Sequence, residues 1–200
     1  MFTAYWTYEL PFGRGRRLGG DNAIVNHVIG GWTFSGILRM QSGRIFQLVS
    51  GRRTFNTSDS GIVLRGISVS ELQSRIISRP TGTDVLFFPP ELIGSDGRSN
   101  RSVLDVPTTP GQFGSFVYLR GPRLIVPDLA IAKNFVTRGR TRLEFRADFF
   151  NAFNHQTWLV GGQFWSGDPT TVSIDSTSFG RTTQSATGPR NIQFRVSLVF

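Results

Sequence analysis

The sequence predicts an all-β chain: an antiparallel transmembrane β-barrel segment of about five strands, an up-and-down meander with long extracellular loops. Three observations predict it. Five segments alternate polar and apolar residues with period two, as an extended chain with two unlike faces does. Their connections run short, long, short, long, the pattern of periplasmic turns and extracellular loops. No run of about 18 apolar residues occurs, so the sequence offers no transmembrane helix.

The first strand, at 2–12, sets Ala4, Trp6, Tyr8 and Leu10 against Thr3, Tyr5, Thr7 and Glu9. The second, at 31–42, sets Trp32, Phe34, Gly36, Leu38 and Met40 against Thr33, Ser35, Ile37, Arg39 and Gln41. The third, at 126–136, sets Leu129, Ile131 and Phe135 against Asp128, Ala130, Ala132 and Asn134. Lys133 falls on its apolar parity. A lysine at mid-bilayer costs about 2–4 kcal/mol, so Lys133 is expected near an interface, with its stem snorkelling. The fourth strand, at 141–153, is the most regular: Arg142, Glu144, Arg146 and Asp148 alternate with Leu143, Phe145, Ala147 and Phe149. A helix would spiral these charges around its axis and leave no apolar stripe. The fifth, at 190–200, sets Ile192, Phe194, Val196, Leu198 and Phe200 against Asn191, Gln193, Arg195, Ser197 and Val199.

Segment 13–30 joins the first two strands and the turn Thr137–Arg140 joins the third and fourth. The long connections, 43–123 and 155–189, are expected to be extracellular loops. If the last strand descends to the periplasm at Phe200, both short connections fall on the periplasmic side. Five strands cannot close a barrel, since the smallest natural ones use eight, so either the chain oligomerises to close one or it is the C-terminal part of a larger barrel, the reading favoured by its start within a strand. Inside the first long loop, Ser68–Ile77 places a capping Ser68 three residues before Glu71. Leu72, Ile76 and Ile77 follow at helical spacing, and a short amphipathic helix is expected.

Composition excludes more than it assigns. Lysine and arginine total 22 against 13 acids, for a net charge of +9, and Lys133 is the single lysine. An arginine excess invites a nucleic-acid partner. Here the clusters Arg14/Arg16/Arg17, Arg52/Arg53 and Arg138/Arg140/Arg142 sit in separate segments, without RNP-like motif, zinc-ligand spacing or helix-turn-helix pattern. No nucleic acid is expected. Cysteine is absent, which removes disulfides and thiolate chemistry. In this topology His27 and His155 lie on opposite sides of the membrane. Asp59, Asp84, Glu91, Asp96 and Asp105 have no metal-binding spacing. Neither catalysis nor a cofactor nor a metal is expected. The opening "MFTAYWTYELPFGRGRR" has no basic stretch followed by an apolar one and is not expected to be a secretory signal.

Five stretches, "YELPFGRGRR", "GGWTFSGILRMQSGRIF", "LRGPRLIVPDLAIAKNF", "RTRLEFRADFFNAFNHQTW" and "GPRNIQFRVSLVF", occurring in this order, resemble the last strands of TonB-dependent receptors. More narrowly, they look like the Oar-like group with a carboxypeptidase-regulatory-like N-terminal domain. The resemblance implies a 22-stranded barrel in the bacterial outer membrane, occluded by a plug and taking up a bulky ligand (siderophore, glycan or peptide) with energy relayed by TonB. The expected partners are outer-membrane lipid, the rest of the barrel and its plug, the TonB complex through that plug, and the barrel-assembly machinery. The closing Phe194, Val196, Leu198 and Phe200 resemble the signal that machinery reads. Asp128, Arg142, Glu144, Arg146, Asp148 and Arg195 would form a lumen-facing ionic wall, either paired across strands or contacting plug and solute. Trp6, Trp32, Phe149, Phe153 and Trp158 would lie in the interfacial aromatic girdles. Trp158 with Trp165 could alternatively cage a ligand. The competing class is a soluble β-rich binding module with an arginine-rich surface, in which the apolar faces would converge into one core.

Overall fold

The structure, a computed structural model, describes residues 1–13, 15–18, 22–55, 57–136, 141–160 and 170–200. The turn Thr137–Arg140 and Trp165 lie outside them. In chain order the strands are β1 (Phe2–Glu9), β2 (Trp32–Gln41), β3 (Ile45–Val49), β4 (Val63–Leu64), β5 (Arg79–Pro80), β6 (Val85–Leu86), β7 (Leu104–Asp105), β8 (Val117–Arg120), β9 (Leu124–Val136), β10 (Arg142–Phe150), β11 (Thr170–Ser173), β12 (Arg181–Thr182) and β13 (Asn191–Val199). Two helices, α1 (Ala23–Ile29) and α2 (Val69–Ser74), and a 3-10 turn at Pro90–Leu92 complete the described elements. The chain divides into a sheet unit (1–41, 125–156, 187–200) and a loop unit (42–124, 157–186).

The sheet unit is one layer of five strands in the order β1-β2-β9-β10-β13. β1 and β2 run antiparallel, with Phe2 opposite Met40 and Glu9 opposite Thr33. β10 is antiparallel to both neighbours, with Phe145 opposite Lys133 on one side and Val196 on the other. Between β2 and β9, the Asn134 N–H donates to the Gly31 carbonyl at 2.9 Å. The strand ends have local causes. β1 stops before Pro11, which has no N–H to give a ladder. β10 stops at Phe150 because Asn151 and Asn154 take left-handed backbone angles, φ 48° and 51°. Asn151 anchors that corner: its N–H donates to the Asp128 carboxylate at 2.8 Å and its Nδ2 to the Gly188 and His155 carbonyls. Gly36 leaves room for a ring, since a Cβ there would meet the indole of Trp6, its cross-strand partner, at 2.4 Å.

The connection between β1 and β2 contains α1, which sequence reading passes over. Its N-cap is Asn22, whose side-chain oxygen accepts from the N–H groups of Ile24 and Val25 at 3.0 and 3.1 Å.

The loop unit has its own hydrophobic core. β3 pairs antiparallel with β8 and parallel with β11, so segments about 125 residues apart in sequence share one small sheet. Phe46, Leu48, Ile62, Leu72, Phe88 and Phe179 are sealed beneath it. The Phe88 ring lies 5.0 Å from that of Phe87 and 5.2 Å from that of Phe179, spacings at which aromatic pairs attract beyond their area burial. Ser68 caps α2 by accepting from the Glu71 N–H at 3.1 Å, and Leu72 is the side chain α2 buries. Gln73 ties α2 to β8, donating to the Arg120 carbonyl at 2.9 Å and accepting from its N–H at 2.7 Å. The two stretches expected as separate extracellular loops thus pack on a common core.

Candidate functional site

Cross-strand register turns the five alternations into two continuous faces. On one, Phe145 stands between Lys133 and Val196, Ala147 between Ile131 and Phe194, and Phe149 between Leu129 and Ile192. Ala4 opposite Leu38 and Tyr8 opposite Phe34 continue this face across β1 and β2. It is most open on the edge strand β13, where Phe194, Val196 and Leu198 are 69, 67 and 59% exposed, and half-buried over much of β2, β9 and β10. Phe145 and Phe194 stack at 6.0 Å. A layer that exposes aligned apolar side chains over several strands is unstable in water and suited to lipid.

The opposite face is ionic and internally neutralised. Arg146 and Arg195 stand directly opposite each other, a repulsive pairing, and each is answered by a carboxylate. Arg146 Nε meets Asp148 Oδ1 at 2.8 Å, and Arg195 Nη2 meets Glu144 Oε1 at 3.2 Å. Arg39 on β2 reaches Asp128 on β9 at 3.3 Å. Such partly exposed pairs contribute roughly 0–1 kcal/mol each. Their effect is to cancel charge along this face. Arg142, at the strand end opposite Val199, is exposed. A hollow of about 750 Å³ on this sheet is bordered by Tyr5, Thr7, Ser35, Ile37, Asp128, Arg146 and Asp148.

Lys133 departs from expectation. Its residue is 3% exposed, and its Nζ donates to the carbonyls of Gly30 and, at 2.8 Å, His27. The ammonium also lies 4.8 Å from the centre of the Phe135 ring and 5.7 Å from that of Trp32. It does not snorkel into water. The C-terminal carbonyls of α1, the negative end of its dipole, come to meet it. The signal available in the sequence was an asparagine cap followed by "AIVNHVI".

The expected aromatics separate into three groups. Trp6, Trp32 and Phe149 lie on the apolar face of the sheet, and the Trp32 indole N–H donates to the Val28 carbonyl at 3.1 Å. Phe153 lies beyond β10 and is exposed. Trp158 belongs to the loop unit, half-buried and bridged to Ser185. The expected cage partner Trp165 is outside the described residues. Phe194, Val196 and Leu198 share the apolar face, and Phe200 follows β13.

In the loop unit, Arg52, Arg65, Arg75, Arg98, Arg101 and Arg181 pair with carboxylates. Arg52, Arg98 and Arg101 converge on Asp175, with Arg52 Nη2 at 2.8 Å. The Thr81 hydroxyl and the Arg181 guanidinium hold the Asp84 carboxyl below its ordinary range. The Arg98 N–H and guanidinium do the same for Asp96. At Asp105 burial pushes upward, but Arg65 and the Val106 N–H together outweigh it and the carboxyl is lowered. Among the described residues no three histidine or acidic side chains gather as metal ligands. A second hollow of about 610 Å³ is bordered by Asp84, Arg181, Thr171, Ser173, Ser176 and Ser178.

Comparison with known proteins adds one finding. A family model described as outer membrane beta barrel domain matches residues 1–193. No curated protein and no solved structure matches.

Proposed function

The chain belongs to the outer membrane beta barrel domain family and localises to the bacterial outer membrane, and on that premise we propose that it is a stretch of wall from a TonB-dependent receptor. In this reading the five strands are consecutive staves of a larger barrel, and the loop unit is the extracellular part that meets a bulky ligand such as a siderophore, glycan or peptide. The rest of the barrel and a plug domain complete the receptor, and TonB acts through the plug.

One observation carries the reading: the division of a single-layer sheet into an exposed apolar face and a neutralised ionic face. That division is what a lipid-bathed wall around a polar lumen requires. The ionic face and its hollow suit contact with a polar plug or solute. The chain's share in transport is mechanical: it has no catalytic step to perform, and its charged side chains act as wall and loop braces. The arginine excess supports this better than a nucleic-acid surface. Arginines of both units face carboxylates instead of forming one basic stripe.

Sequencing the DNA upstream of the Met1 codon tests it. The expected result is an open frame continuing through further alternating strands, a plug domain and a signal peptide. In-frame stop codons and a ribosome-binding site directly before Met1 would defeat the receptor reading.

A further inference from the structure

The connection between β1 and β2 has no assigned role, yet it presents an unusual surface. On α1, Ile24, Val25 and Val28 lie at 0°, about 100° and about 40° around the axis, one apolar stripe. They are 77, 47 and 61% exposed. Leading into the helix, Leu18 and Phe12 are exposed as well. The same segment carries Arg14, Arg16 and Arg17; Arg16 pairs with Glu9 of β1 at 2.5 Å and Arg17 is exposed.

The helix is not loose. His27 packs its ring on Phe135 at 5.5 Å, and Lys133 and Trp32 hold the carbonyls of Gly30, His27 and Val28. Phe135, Lys133 and Trp32 all stand on the apolar parity of the sheet. The C-terminal end of α1 is therefore fastened onto the face that meets lipid, at one end of the strands. Its stripe lies on other positions of the helix than His27 and stays exposed.

We infer that α1 is an interfacial foot, lying in the phospholipid headgroup–acyl boundary of the leaflet at this rim. The inference rests on the outer-membrane wall reading above. Two features select phospholipid as the occupant. The helix end is fastened to side chains of the lipid-facing band, and the exposed Arg17 in the same connection matches an acidic headgroup. Apolar helices of this type settle about 5–10 Å into the boundary. Lys133 fastens the helix end by binding its carbonyls, which gives a lysine on an apolar parity its partners.

The chain has no cysteine, so single labels can be placed without background. An environment-sensitive fluorophore is attached to Ile24→Cys, to Phe194→Cys within the band and to Ser70→Cys on α2 of the loop unit. Each protein is folded into phosphatidylcholine–phosphatidylglycerol vesicles with lipids brominated either near the headgroup or at mid-chain. The expected result is blue-shifted emission at position 24, lost more to headgroup-proximal than to mid-chain bromines, with position 70 unquenched. Water-like, unquenched emission at 24 with a quenched label at 194 overturns the foot and leaves the wall standing. No quenching at either 24 or 194 overturns the wall, and the foot with it.

Discussion

Phe46, Phe88 and Phe179 of the loop unit are at most 1% exposed, whereas Phe194, Val196 and Leu198 of the sheet unit stand 59–69% exposed. The residue types are alike and their environments are opposite. The loop unit wraps short strands, α2 and turns around one core, and so carries its own apolar environment. The sheet unit is a single layer with ion pairs on its polar face; on the apolar face α1 packs at one end of the strands and the edge strand β13 stands exposed. The difference is that one unit supplies its own apolar environment while the other leaves apolar side chains aligned and exposed.

The largest effect should come from opening the loop core. Phe88→Ala removes a fully buried ring between Phe87 and Phe179 and should cost that unit about 3–5 kcal/mol. Hydrogen exchange should then speed up in β3 and β8 while β10 and β13 stay protected, unless the two units fold as one. Next in size is a charge on the lipid face. Val196→Arg, opposite Phe145, should lose about 2–4 kcal/mol of folding free energy in vesicles. Ser197→Arg, one residue along on the ionic face and opposite Glu144, should lose almost nothing. Equal losses at 196 and 197 would erase the distinction between the faces.

A smaller effect is expected at α2. Ser68→Ala removes the bond to the Glu71 N–H and should cost about 1 kcal/mol, read as a shift in the denaturation midpoint of the loop unit. Smallest is the pH response of the same unit. Asp84, Asp96 and Asp105 titrate below the ordinary value of 3.8, so the folded state binds their protons less readily than the unfolded state. Their contribution is present above pH 3.8 and fades as pH falls below it. The loop unit's unfolding midpoint should be level from neutrality to about pH 5 and decline under pH 4. Asp105→Asn should flatten part of that decline.

Much of the sheet was legible because its alternation is long. Arg142–Phe149 spells out both faces within eight residues, and the register across β9 and β13 extends what one strand already states. The ionic side chains that meet, Arg146 with Asp148 and Arg195 with Glu144, share a parity that could be counted directly. The α2 cap was legible for the same reason: Ser68 and Glu71 sit three apart before an apolar spacing. The loop core was not, because β4, β5, β6, β7 and β12 are two residues long and offer no period to read. The partnership of β3 with β11 depends on chain closure over more than a hundred residues, which no local pattern encodes. The fate of Lys133 was hidden by the passing over of α1. A lysine on an apolar parity signals a missing partner as well as a water interface.

Accessibility along β10 in a bilayer tests the two-faced wall most directly. Single cysteines at positions 142–149, each spin-labelled in the otherwise cysteine-free chain, are compared for collision with oxygen dissolved in lipid and with a nickel chelate confined to water. Period-two behaviour is predicted: positions 143, 145, 147 and 149 should favour oxygen, and 142, 144, 146 and 148 the chelate. Uniform accessibility to the chelate on both parities, or protection of 143–149 from oxygen and chelate alike, would contradict a wall between lipid and lumen.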